Sequence, residues 1–209
     1  ATGTKGYNSE NNTNINLFED KTSYFLNIGS ENGIRTTDFI EPNGEAVFSI
    51  DYYTNYQFHE NDDYNLAKIG RRWFGDKFDF ENVKSFSFDF DNLLVEKPVK
   101  LSISAAATSE ITTTMSVELN GSQLSTMIFG PIGDPILATG DNYSSNVDLN
   151  SSTANLLLTY NNNGNPASSA YLDYISIEAS SGLNFTGGQL TFYNNDLDLN
   201  LEVVNYEIS

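Results

Sequence analysis

The sequence predicts an all-β protein: an antiparallel β-sandwich of jelly-roll type with little helix. Three observations support this fold class. Short runs rich in β-branched and aromatic residues recur along the 209-residue chain. Turns rich in Gly, Asn, Pro and Ser separate them at the spacing of a sandwich. No long amphipathic helix pattern is present, and the single helical candidate, "YNLAKIGRRW", is broken by Gly70.

Nine runs are predicted as strands, in chain order: "TSYFLNIG", "EAVFSIDYYTNYQF", "VKSFSFDFDNL", "VKLSISAAAT", "TTTMSVELNG", "SQLSTMIFG", "TANLLLTY", "SAYLDYISIEAS" and "GQLTFYN". The alternation is clearest in the third run, where Phe86, Phe88 and Phe90 fall on one strand face. Ser87 and Asp89 fall on the other face. This pattern indicates a half-buried antiparallel sheet.

Two connections can be predicted from their turn residues. Asn120 and Gly121 stand between two alternating runs, which is the strongest short hairpin signal, so we expect a hairpin over residues 111–129. The stretch "YNNNGNPAS" at 160–168 suits neither a helix nor a strand interior. It is predicted to be a loop between neighbouring strands.

The domain organisation follows from composition and length. Residues 1–16 are polar and Asn-rich, and we expect them to be partly disordered. Residues 17–209 are predicted to form one β-sandwich domain, with N-terminal strands in 17–66 and the main sandwich in 67–209. The opening residues lack a signal peptide pattern and a methionine, so we expect the natural gene product to be longer at both ends.

The charge balance argues against two classes of partner. Asp and Glu number 28 against 10 Lys and Arg, a net charge of −18. Such a chain repels phosphate backbones, so a nucleic-acid partner is not expected. No run approaches the ~20 apolar residues that cross a bilayer, so membrane insertion is not expected either.

The available catalytic chemistry is limited. The chain has no cysteine, which excludes a thiol nucleophile, a disulfide and a zinc–thiolate site within these residues. His59 is the only histidine and no G-x-S-x-G motif is present, so His59 is predicted to be structural. Hydrolysis of glycans by two carboxylates is a further alternative, but the sequence places no pair at the required separation.

A calcium site is one open alternative. Glu60, Asp62 and Asp63 offer hard oxygen ligands, but they lack the Gly and terminal Glu of an EF-hand loop. The competing interpretation is a solvated acidic loop. No other cofactor is predicted.

A sugar-stacking platform is a second open alternative. Trp73 with Tyr143, Tyr160 and Tyr193 could present aromatic faces to sugars. The stronger interpretation is that these aromatic residues form core, because the sequence cannot place two of them on one exposed face.

Residues 59–78 read "HENDDYNLAKIGRRWFGDKF" and carry the most specific pattern in the chain. The segment resembles a signature that precedes the peptidase domain in the PorU family of type IX secretion sortases of Bacteroidota. That pattern runs approximately H-E-x-D-x-x-N-L-x-x-x-G-R-x-W-[FY]-G-[ED]-x-F. The resemblance extends over most of residues 20–195 through "YFLNIGSENGIR", "FSFDFDNL" and "SAYLDYISIEASSGLNFTGGQLTFYN". The signature residues are His59, Glu60, Asn65, Leu66, Gly70, Arg72, Trp73, Phe74 and Gly75.

The resemblance implies a non-catalytic role. PorU-like proteins resemble gingipains, whose catalytic His and Cys lie in a caspase-like domain that these residues do not contain, so His59 is not the catalytic histidine. The resemblance implies the N-terminal β region of a cysteine peptidase, secreted to the bacterial cell surface, that removes C-terminal sorting domains from cargo. Its implied partners are the downstream peptidase domain and outer-membrane secretion partners or cargo. The alternative is an independent carbohydrate-binding β-sandwich module.

The residue types of the signature favour a structural task. Gly70 and Gly75 permit tight turns around Trp73, and Arg71 or Arg72 can make bidentate contacts with carboxylates. We expect these contacts to hold a long inter-strand connection on the sandwich, with Trp73 as its buried anchor.

Overall fold

The structure, a computed structural model, describes residues 5–8, 13–15, 25, 45–46, 48–66, 72–193 and 204–209, the first two ranges as backbone only. These residues form strands and no helix. The strands are β1 (Lys5–Asn8), β2 (Thr13–Ile15), β3 (Ser49–Ile50), β4 (Tyr52–Glu60), β5 (Gly75–Phe78), β6 (Val83–Asp89), β7 (Val99–Thr108), β8 (Thr113–Leu119), β9 (Ser122–Phe129), β10 (Thr139–Val147), β11 (Thr153–Asn161), β12 (Ser169–Gly182) and β13 (Asn205–Tyr206).

Two antiparallel sheets make up the sandwich. Sheet I has the order β10-β7-β12-β4, with β5 also paired to β12, and sheet II has the order β6-β11-β8-β9. The short pairs β1-β2 and β13-β3 lie outside these sheets. The predicted fold class is therefore confirmed, and in the described residues no helix could cross a membrane.

The core lies between the inner faces of the two sheets. Along β8, buried residues alternate with partly exposed ones, so Met115, Val117 and Leu119 point inward. From sheet I, Ile103 of β7 and Ile175 of β12 join the same cluster. Burying one such side chain stabilises the fold by about 1.5–3 kcal/mol, which is why the alternating runs specify the sandwich.

Side-chain contacts join the two sheets at their edges. On one side the Asp141 carboxylate of β10 accepts a hydrogen bond of 2.8 Å from the backbone N–H of Ile128 in β9. On the other side the ring of His59 in β4 packs on the ring of Phe86 in β6, with centroids 4.7 Å apart. A charged side chain that satisfies an edge N–H also discourages pairing with another chain.

The predicted hairpin is present. Strands β8 and β9 pair across the turn, and both Asn120 and Gly121 have positive φ, +48° and +79°. Two consecutive residues of positive φ match the right-handed twist of the flanking strands. The alternation over Phe86, Phe88 and Phe90 is also present, with the last two buried.

Several sequence predictions differ from the structure. The loop after β11 connects the two sheets instead of neighbouring strands, because β11 belongs to sheet II and β12 to sheet I. In the described part of the run "GQLTFYN", residues 188–193, the pairing is a single isolated bridge between Tyr193 and Thr54. Strands β5 and β10 were not predicted, because Gly, Asp, Asn and Ser dominate their sequences.

Two further predictions fall partly outside the described residues. Of the first predicted strand, "TSYFLNIG", only Phe25 is described, and residues 67–71 of the helical candidate lie outside the described residues. The described start of that candidate carries a bridge at Tyr64 and a turn at Leu66. Strands β1 and β2 lie within residues 1–16. The partial disorder of that segment and the division at residue 66 stay predictions.

Candidate functional site

The candidate site is the signature segment, residues 59–78, of which 67–71 lie outside the described residues. Both of its ends lie beside the same strand. Glu60, at the end of β4, pairs with Tyr174 of β12, and Phe78, at the end of β5, pairs with Ala170 of β12. β4 and β5 thus share one edge of β12, and the segment is the connection that leaves and rejoins this edge.

The connection is closed by backbone hydrogen bonds near its base. The N–H of Tyr64 donates to the carbonyl of Phe74 at 2.7 Å, and the N–H of Phe74 donates back at 2.9 Å. The ring of Tyr64 also lies 5.3 Å from the ring of Tyr171 on β12. Asn65 and Leu66 follow as half-buried residues. Along the edge of β12, β4 ends opposite Tyr174 and β5 begins opposite Leu172, so a gap remains beside Asp173. Arg72 lies beside this gap.

An ion pair fills that gap. The pairing of β12 with β7 shifts register between Leu172 and Tyr174, so Asp173 is a bulged residue. Its Oδ2 accepts hydrogen bonds from Arg72 Nε at 3.0 Å and Nη2 at 2.7 Å. The bulge leaves Asp173 outside the regular backbone ladder, and the guanidinium group of Arg72 pairs with its side-chain carboxylate.

A hydroxyl group from a third strand completes this cluster. Ser104 of β7 is buried, accepts from Arg72 Nη2 at 2.7 Å and donates to Asp173 Oδ2 at 2.9 Å. The guanidinium carbon of Arg72 lies 5.1 Å from the ring centroid of Phe74, a cation–π distance. The cluster therefore ties the signature segment to β12 and β7 together.

His59 is engaged in a second set of contacts. Its Nε2 lies 2.5 Å from Asp76 Oδ2, which also accepts from Asn61 Nδ2 at 3.2 Å. The hydrogen bond with His59, the largest influence, holds the pKa of Asp76 below its usual value. Asp76 has φ +30°, a strained region for a non-glycine residue, and these bonds offset the strain.

Gly75 is required by space. A Cβ at this position would lie 2.4 Å from Asn61 Cβ and 2.6 Å from the Asn61 carbonyl oxygen. Only a residue without a side chain lets the returning strand pass so close to the outgoing one. The second predicted turn glycine, Gly70, lies outside the described residues.

The aromatic anchor of the segment differs from the predicted one. Trp73 is half-buried, whereas its neighbour Phe74 is buried at 5 % exposure. The chain alternates sides here, so only one of two consecutive aromatics can face the interior. Phe74 is therefore the more deeply buried anchor.

The acidic residues of the segment are close enough to affect one another. Burial of Asp62, followed by the negative charges of Glu60, Asp173 and Asp63, raises the pKa of Asp62 to about 6. Glu60 is itself buried. Among the residues that the structure describes, no group of three or more His, Asp or Glu side chains could hold a metal ion. Calcium binding at Glu60, Asp62 and Asp63 stays a prediction.

The four residues considered for a sugar-stacking platform do not come together. Tyr160 is fully buried in the core. Tyr143 is half-buried and packs against that core, and Tyr193 is exposed beside β4. The interpretation of these aromatics as core is right for Tyr160 and, in part, for Tyr143.

Sequence reasoning missed three members of the site: Ser104, Asp173 and Asn61. The first two lie on strands far along the chain, and they come near Arg72 only through the order of sheet I and the bulge in β12. Asp173 stands in "SAYLDYISI", where an acidic residue interrupts an apolar run. That interruption was the only available signal, since a charge in a central strand needs a partner.

No protein-family model matches the chain, and no curated protein matches it by sequence. Among solved structures, it is similar to dimeric latent PorU from Porphyromonas gingivalis, with a TM-score of 0.62 and 18 % identity. That match covers 77 % of this chain and 16 % of the PorU chain.

Carbohydrate-binding modules give weaker matches. The CBM36-1 domain of a xylanase from the hindgut metagenome of Trinervitermes trinervoides has a TM-score of 0.38 and 13 % identity. That match covers 66 % of this chain and 100 % of the domain. A CBM36 in complex with calcium and xylotriose has a TM-score of 0.37 and 17 % identity. That match covers 59 % of this chain and 98 % of the CBM36 chain. The match to PorU, with its TM-score of 0.62, shows that the chain has the fold of one part of PorU.

Proposed function

We propose that this chain is a non-catalytic domain of a gingipain-like cysteine peptidase, where it supports or positions the downstream catalytic domain. The observation that carries the proposal is the fold of PorU combined with the signature segment. The segment lies at the edge of sheet I, and His59, Arg72 and Phe74 make contacts within the domain.

The residues present favour an accessory role over catalysis. Peptidases of the gingipain type need a thiol nucleophile, and the 209 residues contain no cysteine. The one histidine is held by Asp76 and packed on Phe86, with its side chain about one third exposed at 31 %. In the described residues the side chain of His59 contacts Asp76 and Phe86, and neither is a hydroxyl or thiol nucleophile.

The segment is suited to positioning a neighbour because it is tied down at several points. Arg72 connects it to β12 and β7, the Tyr64–Phe74 bridge closes its base, and Gly75 lies tightly against Asn61. A connection fixed in this way presents a rigid surface, which costs less conformational entropy when a second domain docks on it.

The cellular setting is part of the same proposal. A PorU-like parent is exported to the bacterial cell surface, where its partners are the catalytic domain of the same chain, outer-membrane secretion components and sorted cargo. The acidic, cysteine-free composition is compatible with an exported protein that buries its core without disulfides.

The first experiment reads the gene beyond the codon for Ser209. A following reading frame for a caspase-like domain with His and Cys supports the accessory role. A stop codon directly after these residues contradicts it and favours the alternative of an independent carbohydrate-binding module.

The second experiment assays the purified 209-residue chain with a peptide that carries a C-terminal sorting domain. We expect no turnover, because the chain lacks a thiol. Cleavage by this chain that survives the substitution His59→Ala would refute the accessory role.

A further inference from the structure

We propose that a pocket on the outer face of sheet I binds a small hydroxylated carboxylate, with the chemistry of a sugar acid. The pocket has a volume of about 340 Å³ and lies around Thr54, five residues before the start of the signature segment on β4. We call it the lysine pocket. Its polar lining consists of Thr54, Lys97, Lys100, Asn146, Glu178 and Ser180.

Strand pairing explains how these side chains share one face. Lys100 of β7 stands opposite Asn146 of β10 on one side and opposite Glu178 of β12 on the other. Ser180 of β12 stands opposite Thr54 of β4. Directly opposed residues project from the same face of an antiparallel sheet. Four strands thus form the floor of the pocket, and the connection between β6 and β7 adds Lys97.

The pocket carries an excess positive charge in a strongly acidic protein. Lys100 Nζ lies 3.5 Å from Glu178 Oε1, so these two charges offset each other. Lys97 Nζ lies 3.2 Å from the ring centroid of Tyr52 and forms no ion pair with another described residue. The lysine pocket holds two of the five basic side chains described: Arg72, Lys77, Lys84, Lys97 and Lys100.

This placement favours one anionic group on the ligand. The net charge of −18 repels anions from most of the surface, whereas Lys97 offers a local ammonium group. The Tyr52 ring attracts the Lys97 ammonium group through the ring quadrupole. Because the ring has no net charge, this contact leaves the positive charge of Lys97 in place. A single carboxylate would therefore complete the charge balance of the pocket.

The remaining lining favours hydroxyl groups on the same ligand. Thr54 and Ser180 present hydroxyl groups, and Asn146 presents an amide. The next row of the face continues this chemistry, because Ser102 Oγ and Ser144 Oγ lie 2.9 Å apart. Hydroxyl groups on a ligand can exchange hydrogen bonds with this polar lining, whereas an apolar ligand would displace water from it without replacing the hydrogen bonds of that water. Small-molecule sites span about 300–1,000 Å³, so the lysine pocket suits one sugar ring.

Backbone amide NMR titration of the 209-residue chain tests the proposal. The probes are D-glucuronate, D-glucose and acetate, which separate the hydroxyl groups from the carboxylate. We expect saturable shifts at Thr54, Lys100 and Ser180 with glucuronate, and affinity at least about tenfold weaker for glucose and acetate. Equal binding of acetate, equal binding of glucose, or shifts that do not saturate would overturn the proposal.

Two lysine variants provide the matched comparison. Lys97→Gln should weaken glucuronate binding about tenfold, because it removes the ammonium charge that no described carboxylate offsets. Lys84→Gln is the control, since Lys84 also lies over an aromatic ring, that of Phe78 at 5.8 Å, but away from the pocket. Unchanged affinity in the Lys97 variant, or an equal loss in both, would contradict the assignment. The amide spectrum of each variant reports its fold, and neither outcome depends on the accessory role.

Discussion

The substitution Arg72→Ala tests whether the signature segment is held on the sandwich by its ion pair. It removes hydrogen bonds of 3.0 and 2.7 Å to Asp173 and one of 2.7 Å to Ser104. Asp173 keeps the Ser104 hydroxyl, 2.9 Å away, with its side chain only 14 % exposed.

The magnitude follows from the burial of the two partners. Hydrogen bonds to charged groups contribute about 1.5–3 kcal/mol to the free energy of unfolding. The cost of leaving a buried carboxylate without its partner lies at the upper end of this range. The Arg72 side chain is 54 % exposed, so solvent screening lowers the value to about 1–2 kcal/mol. For a domain of this size the unfolding midpoint should fall by about 3–6 °C.

The assay is a double-mutant cycle on Arg72→Ala and Asp173→Asn, with urea unfolding followed by fluorescence. We expect a coupling free energy of about 1 kcal/mol between the two sites. Lys100→Ala is the control, because its 3.5 Å pair with Glu178 is on the open face and should contribute a few tenths of a kcal/mol. A coupling near zero would refute the reasoning that this ion pair holds the segment.

Three other predictions concern the same segment. Gly75→Ala should cost about 1–3 kcal/mol by urea unfolding because a Cβ has no room, whereas Gly130→Ala, with nothing within 4 Å, should be nearly neutral; equal effects would contradict the close-approach argument. Phe74→Ala should cost about 3–5 kcal/mol and the half-buried Trp73→Ala clearly less, and the reverse order would restore Trp73 as the main anchor. The pKa of Asp62 in the folded protein is about 6, above its ordinary value of 3.8. The free energy of unfolding therefore falls as pH rises from about 4 to about 6, because ionised Asp62 is less favourable in the folded state than in the unfolded state. Asp62→Asn should therefore raise the free energy of unfolding at pH 7, with a gain that shrinks toward pH 4, and a gain independent of pH would contradict the assignment.

The sheets could be predicted because their inner residues alternate. Met115, Val117 and Leu119 show a period of two, and this period decides which face of β8 is buried. Strand β10 escaped prediction because "TGDNYSSNV" is held by pairing with β7 and carries little apolar periodicity of its own. In that strand, tertiary pairing outweighs local propensity.

The site was predictable in its residue types but not in its pairings. The expectation that an arginine of the segment contacts a carboxylate agrees with Arg72 and Asp173, which are 101 positions apart in sequence. The partner could not be named, because it depends on a bulge in β12. Burial of Trp73 was overestimated, since composition alone does not show which of two adjacent aromatics faces inward.

The most direct test of the proposed accessory role compares two forms of the proposed parent peptidase: its complete chain and a form that lacks these 209 residues. The measurement is the rate at which each removes a sorting domain from a cargo peptide, with thiol titration confirming an equal number of active sites. The account predicts that the shortened form retains its reactive thiol but processes the cargo at least about tenfold more slowly. Equal processing by both forms would contradict it.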